Sequence, residues 1–117
     1  MQVEYSRDEL GFATILGKIL EEKLRDGKKE EIARRINGSV TVECRDLKMS
    51  ATITFKGDRV VVENGSGGKY LISADLQTLN GLTFGKIGLL GTVKLVIKGR
   101  LKIKGMTFAM KFRKLLG

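Results

Sequence analysis

Few residues in this chain are equipped for catalysis. Its 117 residues include no histidine and one cysteine, Cys44. Without histidine there is no imidazole to move a proton near neutral pH, no Ser-His-Asp arrangement and no histidine metal site. One thiol makes neither an internal disulfide nor a thiolate metal cage. Cys44 follows Val40 and Val42 at period two, the pattern of a buried small hydrophobe. A reactive thiol needs exposure and a base or helix terminus to ionise it. The carboxylates are no better placed, because Glu21-Glu22 and Glu30-Glu31 lie within charged helical faces and not as isolated pairs among apolar neighbours. Gly65-Ser66-Gly67-Gly68-Lys69 has the composition of a phosphate loop. It lacks the spacing and leads into a strand, so its amides do not converge on an anion. An independent enzyme is not expected, nor is a cofactor or metal.

The chemistry that remains is charge and apolar surface. There are 22 Lys and Arg against 13 Asp and Glu, a net charge of +9. All 13 acids and 13 of the bases lie in residues 1–75, which leaves nine bases and no acid in residues 76–117. Arg100, Lys102 and Lys104 alternate with Leu101 and Ile103, and Lys111 and Lys114 lie off the apolar stripe of the last segment. Three readings fit these bases. They can be the solvated face of an edge strand, where lysines discourage edge-to-edge association. They can dock on an anionic membrane, each base near the surface contributing about 1 kcal/mol. They can mark a nucleic-acid surface, although no stacking platform of aromatics accompanies them.

These side chains need a scaffold, and the periodicity supplies one. Ser6 and Glu9 fit a capping box flanked by a Tyr5/Leu10 staple. The stripe Phe12, Ile15, Leu16, Ile19, Leu20, Leu24 then has helical spacing, and Asp26-Gly27 is its stop. A second helix is expected over about 28–36. Period two follows, over 39–45, 49–55 and 59–63, with a turn at Gly57-Asp58 and a fourth strand beginning at Tyr70. Asp75 is placed to cap a short helix through Leu79. Residues 81–91 are apolar and glycine-rich, 100–104 alternate as a strand, and 106–116 form an amphipathic helix with Phe108, Ala109, Phe112 and Leu115 on one face. The length argues for one domain over 1–117. No stretch approaches the about 20 apolar residues of a membrane span. The N-terminus lacks a signal peptide's basic start and apolar middle, so a cytoplasmic protein is expected. Scarce Gln and Asn lean toward a thermophilic source.

The closing run Gly99-Arg100-Leu101-Lys102-Ile103-Lys104-Gly105, followed by Phe108-Ala109-Met110-Lys111-Phe112, resembles the last strand and helix of the sterol carrier protein (type two) domain family. Asn37-Gly38-Ser39-Val40, Thr52-Ile53-Thr54-Phe55-Lys56-Gly57 and Asp75-Leu76 before Gly85-Lys86 fall in the order of that family. The likeness covers the chain from about residue 8. The chain departs where the family has an Asn-Pro after its Gly-Lys, since it holds no proline, and the Gly85–Gly99 interval is longer. Met106 also stands where an Asp often follows the glycine.

The resemblance implies an α+β fold, a single mixed or antiparallel sheet of about five strands with helices packed on one face, enclosing an apolar tunnel. It implies a non-enzymatic carrier of fatty acyl, sterol-like or other lipids, or an accessory that presents a lipophilic substrate. The candidate lining residues are then Phe12, Leu16, Ile53, Phe55, Phe84, Leu89, Leu90, Phe108 and Phe112, which by periodicity alone read as a packed core and only through the resemblance as the wall of a tunnel. Burying a chain of about a dozen methylenes is worth on the order of 10 kcal/mol before ordering costs, more than a few surface charges supply. The lipid would set affinity, and Arg100, Lys102, Lys104, Lys111 and Lys114 would contact an anionic membrane. Expected partners are the lipid, transiently a membrane, and a lipid-metabolising enzyme or second copy. A small basic nucleic-acid-binding protein, or a subunit whose apolar cleft a partner chain fills, are the competing readings.

Overall fold

The computed structural model describes residues 1–6, 11–83, 91, 94–96 and 98–116. Its strands are β1 (Gln2–Glu4), β2 (Asn37–Cys44), β3 (Met49–Lys56), β4 (Arg59–Asn64), β5 (Tyr70–Ala74) and β6 (Leu101–Lys104). Its helices are α1 (Phe12–Lys23), α2 (Gly27–Arg35), α3 (Leu76–Thr83) and α4 (Met106–Leu116). The six strands form one mixed sheet in the order β1-β4-β3-β2-β5-β6. The β2-β3-β4 meander is antiparallel, as its short turns require, while β1 joins β4 and β5 joins β2 in parallel. Five strands are legible in the sequence. The sixth, β1, is three residues long and too short to show alternation, yet Val3 pairs with Val60 and is buried.

The register sorts side chains onto two faces. Val40, Val42 and Cys44 of β2 share a level with Ile53, Ala51 and Met49 of β3. They also align with Tyr70, Ile72 and Ala74 of β5, which pair on with Ile103 and Leu101. This face is apolar and the helices cover it. The alternate positions, among them Thr41, Thr52, Glu43, Ser73 and Lys102, make a polar outer face. Residues 65–69 cross that outer face between β4 and β5. Thr52 Oγ1 donates to the Gly65 carbonyl (3.0 Å), and the Gly68 and Lys69 amides donate to Thr41 Oγ1 (2.8 Å) and Ser39 Oγ (3.0 Å). A β-carbon on Gly68 would lie 2.6 Å from the Thr41 amide nitrogen. The glycines therefore let a strap lie flat on the sheet, and its amides are spent there and not on a phosphate.

The start of α1 differs from the sequence expectation. The helix begins at Phe12 with Gly11 as N-cap, and Gly11 has no side chain to cap it. Asn64, at the end of β4, accepts the Ala13 amide through Oδ1 (3.0 Å). Glu9 and Leu10 of the expected capping box and staple lie outside the described residues. Tyr5 packs on Gly17, where a β-carbon would overlap its ring. Asp26, expected to stop α1, caps α2 by accepting the Lys28 amide (2.9 Å).

Asp75 caps α3 as its position suggests, accepting the Thr78 amide at 2.7 Å. Those Thr78 hydrogen bonds, and secondarily Arg100, hold its carboxyl below the usual carboxylate range. A depressed folded-state pKa contributes stability above the unfolded value that is lost as pH falls through the folded one. Asp75→Ala is expected to cost about 1 kcal/mol near neutrality. The gap from the parent protein should narrow as the pH falls below about 3.9, the ordinary carboxylate value. Denaturant melts at several pH values check this, and a gap that is constant with pH would contradict it.

At the other end of the sheet, Gly105 (φ +91°) turns β6 into α4 against the Tyr70 ring, where a β-carbon would overlap it. Tyr70 stacks on Phe108 at 4.5 Å, and Phe55 meets Phe108 and Phe112 edge-on at 6.1 and 6.0 Å. This aromatic cluster clamps α4 to the sheet.

Candidate functional site

Between the apolar sheet face and the helices lies a cavity of about 190 Å³. Val42, Ile53 and Ile72 form its floor, with Leu101 and Ile103 of β6 beside them. α1 contributes Phe12, Leu16 and Ile19, α3 contributes Leu79 and Leu82, and α4 contributes Phe112 and Leu116. The stripes of three helices thus leave part of their apolar surface facing a void and not each other. The polar lining side chains among the described residues are Asn80 and Thr83 of α3 and Arg113 of α4, and Arg113 is the charged one. Arg113 is half-buried, with its Nε shielded from solvent. A cavity of this volume accepts small apolar guests; about 150 Å³ suffices for benzene.

Phe12, Leu16, Ile53 and Phe112 all line this cavity. Phe55 and Phe108 are buried in the aromatic cluster and do not reach it. Their rings close on each other and on Tyr70, because the register places Phe55 opposite Gly38, next to Tyr70. Phe84, Leu89 and Leu90 lie outside the described residues. Ile15 and Ile19 of the legible α1 stripe also line the cavity, beyond the expected set. Leu47, Leu76 and Arg113 carry no signal of a cavity in the sequence, since one sits in a turn, one follows a cap and one is a cation.

The basic residues separate. Lys102 and Lys104 project from the outer sheet face, and Lys111 and Lys114 are exposed on α4. Arg100 lies at the corner before β6, 3.6 Å from Asp75, and its carbonyl accepts from Arg45. Cys44 is buried and its Sγ donates to Asp46 Oδ1 (3.1 Å). Burial first, and then Asp46, push its thiol above the usual value, which leaves it protonated and unreactive. Among the described residues no cluster of His, Cys, Asp or Glu is arranged to hold a metal, and no helix is long and apolar enough to cross a membrane.

Residues 16–117 match the profile of the SCP-2 sterol transfer family. None of the curated proteins matches the chain. Solved structures do. A UbiJ-SCP2 ubiquinone synthesis protein is 17% identical with a TM-score of 0.71, over 89% of this chain and 91% of that one. The sterol carrier protein domain 2 of Helicoverpa armigera is 22% identical with a TM-score of 0.68, over 97% and 91%. The apo sterol carrier protein 2 of Yarrowia lipolytica is 20% identical with a TM-score of 0.64, over 96% and 95%. A Pseudomonas sec-alkylsulfatase also matches (19% identity, TM-score 0.62), over 74% of this chain but 14% of its own length.

Proposed function

The chain belongs to the SCP-2 sterol transfer family, and from that premise we propose that it binds an amphiphilic lipid with an anionic head. The hydrocarbon occupies the cavity and Arg113 meets the head. The observation that carries this is a lining that, among the described residues, is apolar except for Asn80, Thr83 and one cation. A guanidinium in such surroundings favours a carboxylate or phosphate, with which it forms paired charge-assisted hydrogen bonds. The cavity is smaller than the about 300–1,000 Å³ of pockets for drug-sized ligands, so a long chain enters by spreading the helices from the sheet. Each methylene buried returns about 0.8 kcal/mol toward that rearrangement. With no imidazole, an unreactive thiol and no metal cluster among the described residues, the protein acts as a carrier or as an accessory that presents its ligand to an enzyme. The likeness to a ubiquinone synthesis protein and to part of an alkylsulfatase supports the accessory role. Arg100, Lys102, Lys104, Lys111 and Lys114 supply the positive field that draws the protein toward anionic surfaces.

Saturable uptake of a fluorescent long-chain fatty acid, displaced by unlabelled fatty acid, is the expected result. Native mass spectrometry of freshly purified protein should show a retained lipid mass. A folded protein that takes up no lipid would refute the reading.

A further inference from the structure

Four large apolar side chains are exposed among the described residues, namely Ile15, Leu47, Leu76 and Met106. The first three also line the cavity. They come from α1, from the β2–β3 turn and from the start of α3, so nothing local explains their meeting. Leu47, 51% exposed, sits in a four-residue turn in which the Lys48 amide reaches the Arg45 carbonyl (3.3 Å) and Lys48 is left-handed (φ 52°). Such turns favour polar residues. Asp46 Oδ1 accepts the Leu76 amide (3.0 Å), which ties the turn to α3 and sets Leu47 beside Leu76. Ile15, 53% exposed, completes the rim from α1. Cations flank it. Lys48 adjoins Leu47, Arg45 donates to the Arg100 carbonyl, and Lys18 stands one turn beyond Ile15, all of them exposed. The nearby carboxylates, Asp46 and Asp75, are each bonded to a backbone amide of α3.

We propose that this rim, Ile15–Leu47–Leu76 with Arg45, Lys48, Arg100 and Lys18 around it, is the surface that docks on an anionic lipid bilayer, with the cavity opening onto it. Apolar side chains ringed by cations match an interface of acyl chains beneath anionic headgroups. The inference rests on the lipid-binding reading, because it makes the rim the place where cargo changes hands. It departs from docking through Lys102 and Lys104, which lie on the other face of the sheet. Those lysines attract at a distance, whereas the rim makes the contact.

The test is co-sedimentation with vesicles of phosphatidylcholine alone or mixed with phosphatidylglycerol, alongside fatty-acid uptake from vesicle-free solution. Wild type should bind the mixed vesicles, and salt near 1 M, where the screening length is about 3 Å, should weaken that binding. The double variant Lys18→Gln/Lys48→Gln, at rim positions that do not line the cavity, should lose about thirtyfold in vesicle affinity while keeping vesicle-free uptake. Both positions are exposed, and a thermal melt verifies the fold. Lys102→Gln/Lys104→Gln would lose about thirtyfold if those lysines touched the surface, and a loss under threefold is expected. Wild-type binding in the rim variant, or the larger loss in the lysine variant, would overturn the proposal. So would failure of wild type to bind mixed vesicles, or a dimer in sedimentation equilibrium that the rim variant abolishes. Vesicle binding without any fatty-acid uptake would refute the cavity reading instead.

Discussion

Phe112→Ala is expected to lower the unfolding free energy by about 3–5 kcal/mol, the range for deleting a packed aromatic ring. Phe112 is buried, meets Phe55 edge-on and forms a cavity wall, so its loss removes packing and enlarges the cavity. A bound lipid offsets part of the damage by mass action, about 2.7 kcal/mol at a hundredfold excess over Kd. Denaturant melts with and without fatty acid read both terms. The variant should gain at least as much from the ligand as wild type, because the cavity has grown on the side that holds it. A loss under about 1 kcal/mol would mean the ring is not packed as described. A ligand that stabilises wild type but not a folded Phe112→Ala would remove Phe112 from the binding wall.

Arg113→Met should change selectivity. A charge-assisted hydrogen bond is worth about 1.5–3 kcal/mol, so wild type should prefer a fatty acid over its methyl ester by roughly 10- to 100-fold. Methionine keeps the length and packing of the stem and removes the charge. The preference should fall to near unity, chiefly through weaker binding of the acid, while the ester binds about as before. Competition against one fluorescent probe measures all four affinities. Equal binding of acid and ester by wild type would refute the head-group assignment and leave the apolar cavity untouched.

Much of the scaffold is legible because each element carries its pattern locally. α4 occupies residues 106–116 as the spacing of Phe108, Phe112 and Leu115 predicts, and β3 and β6 follow their alternation. Asp75 is a cap by type and place. The described start of α1 is held from afar, by Asn64 at the end of β4, and no spacing near residue 12 announces that contact. β1 escapes notice because three residues hold too little periodicity, and only the edge of β4 gives them a partner. Of the expected lining, the residues on α1, β3 and α4 that face the void were visible as apolar stripes. Phe55 and Phe108 belong to the same stripes, and nothing in periodicity separates a ring that fills the core from one that borders a cavity.

Composition settled what the protein lacks: no histidine, one thiol in a buried pattern, and an imbalance of charge confined to its last 42 residues. Periodicity settled which face of the longer helices and strands turns inward, because that depends on neighbours a few residues away. The tertiary structure alone decided that Arg113 belongs to the cavity lining, that Lys102 and Lys104 turn away from it, and that residues 15, 47 and 76 share its rim. Those relations depend on strand order and on how the helices sit across the sheet. They join residues dozens of positions apart, and no local spacing encodes them.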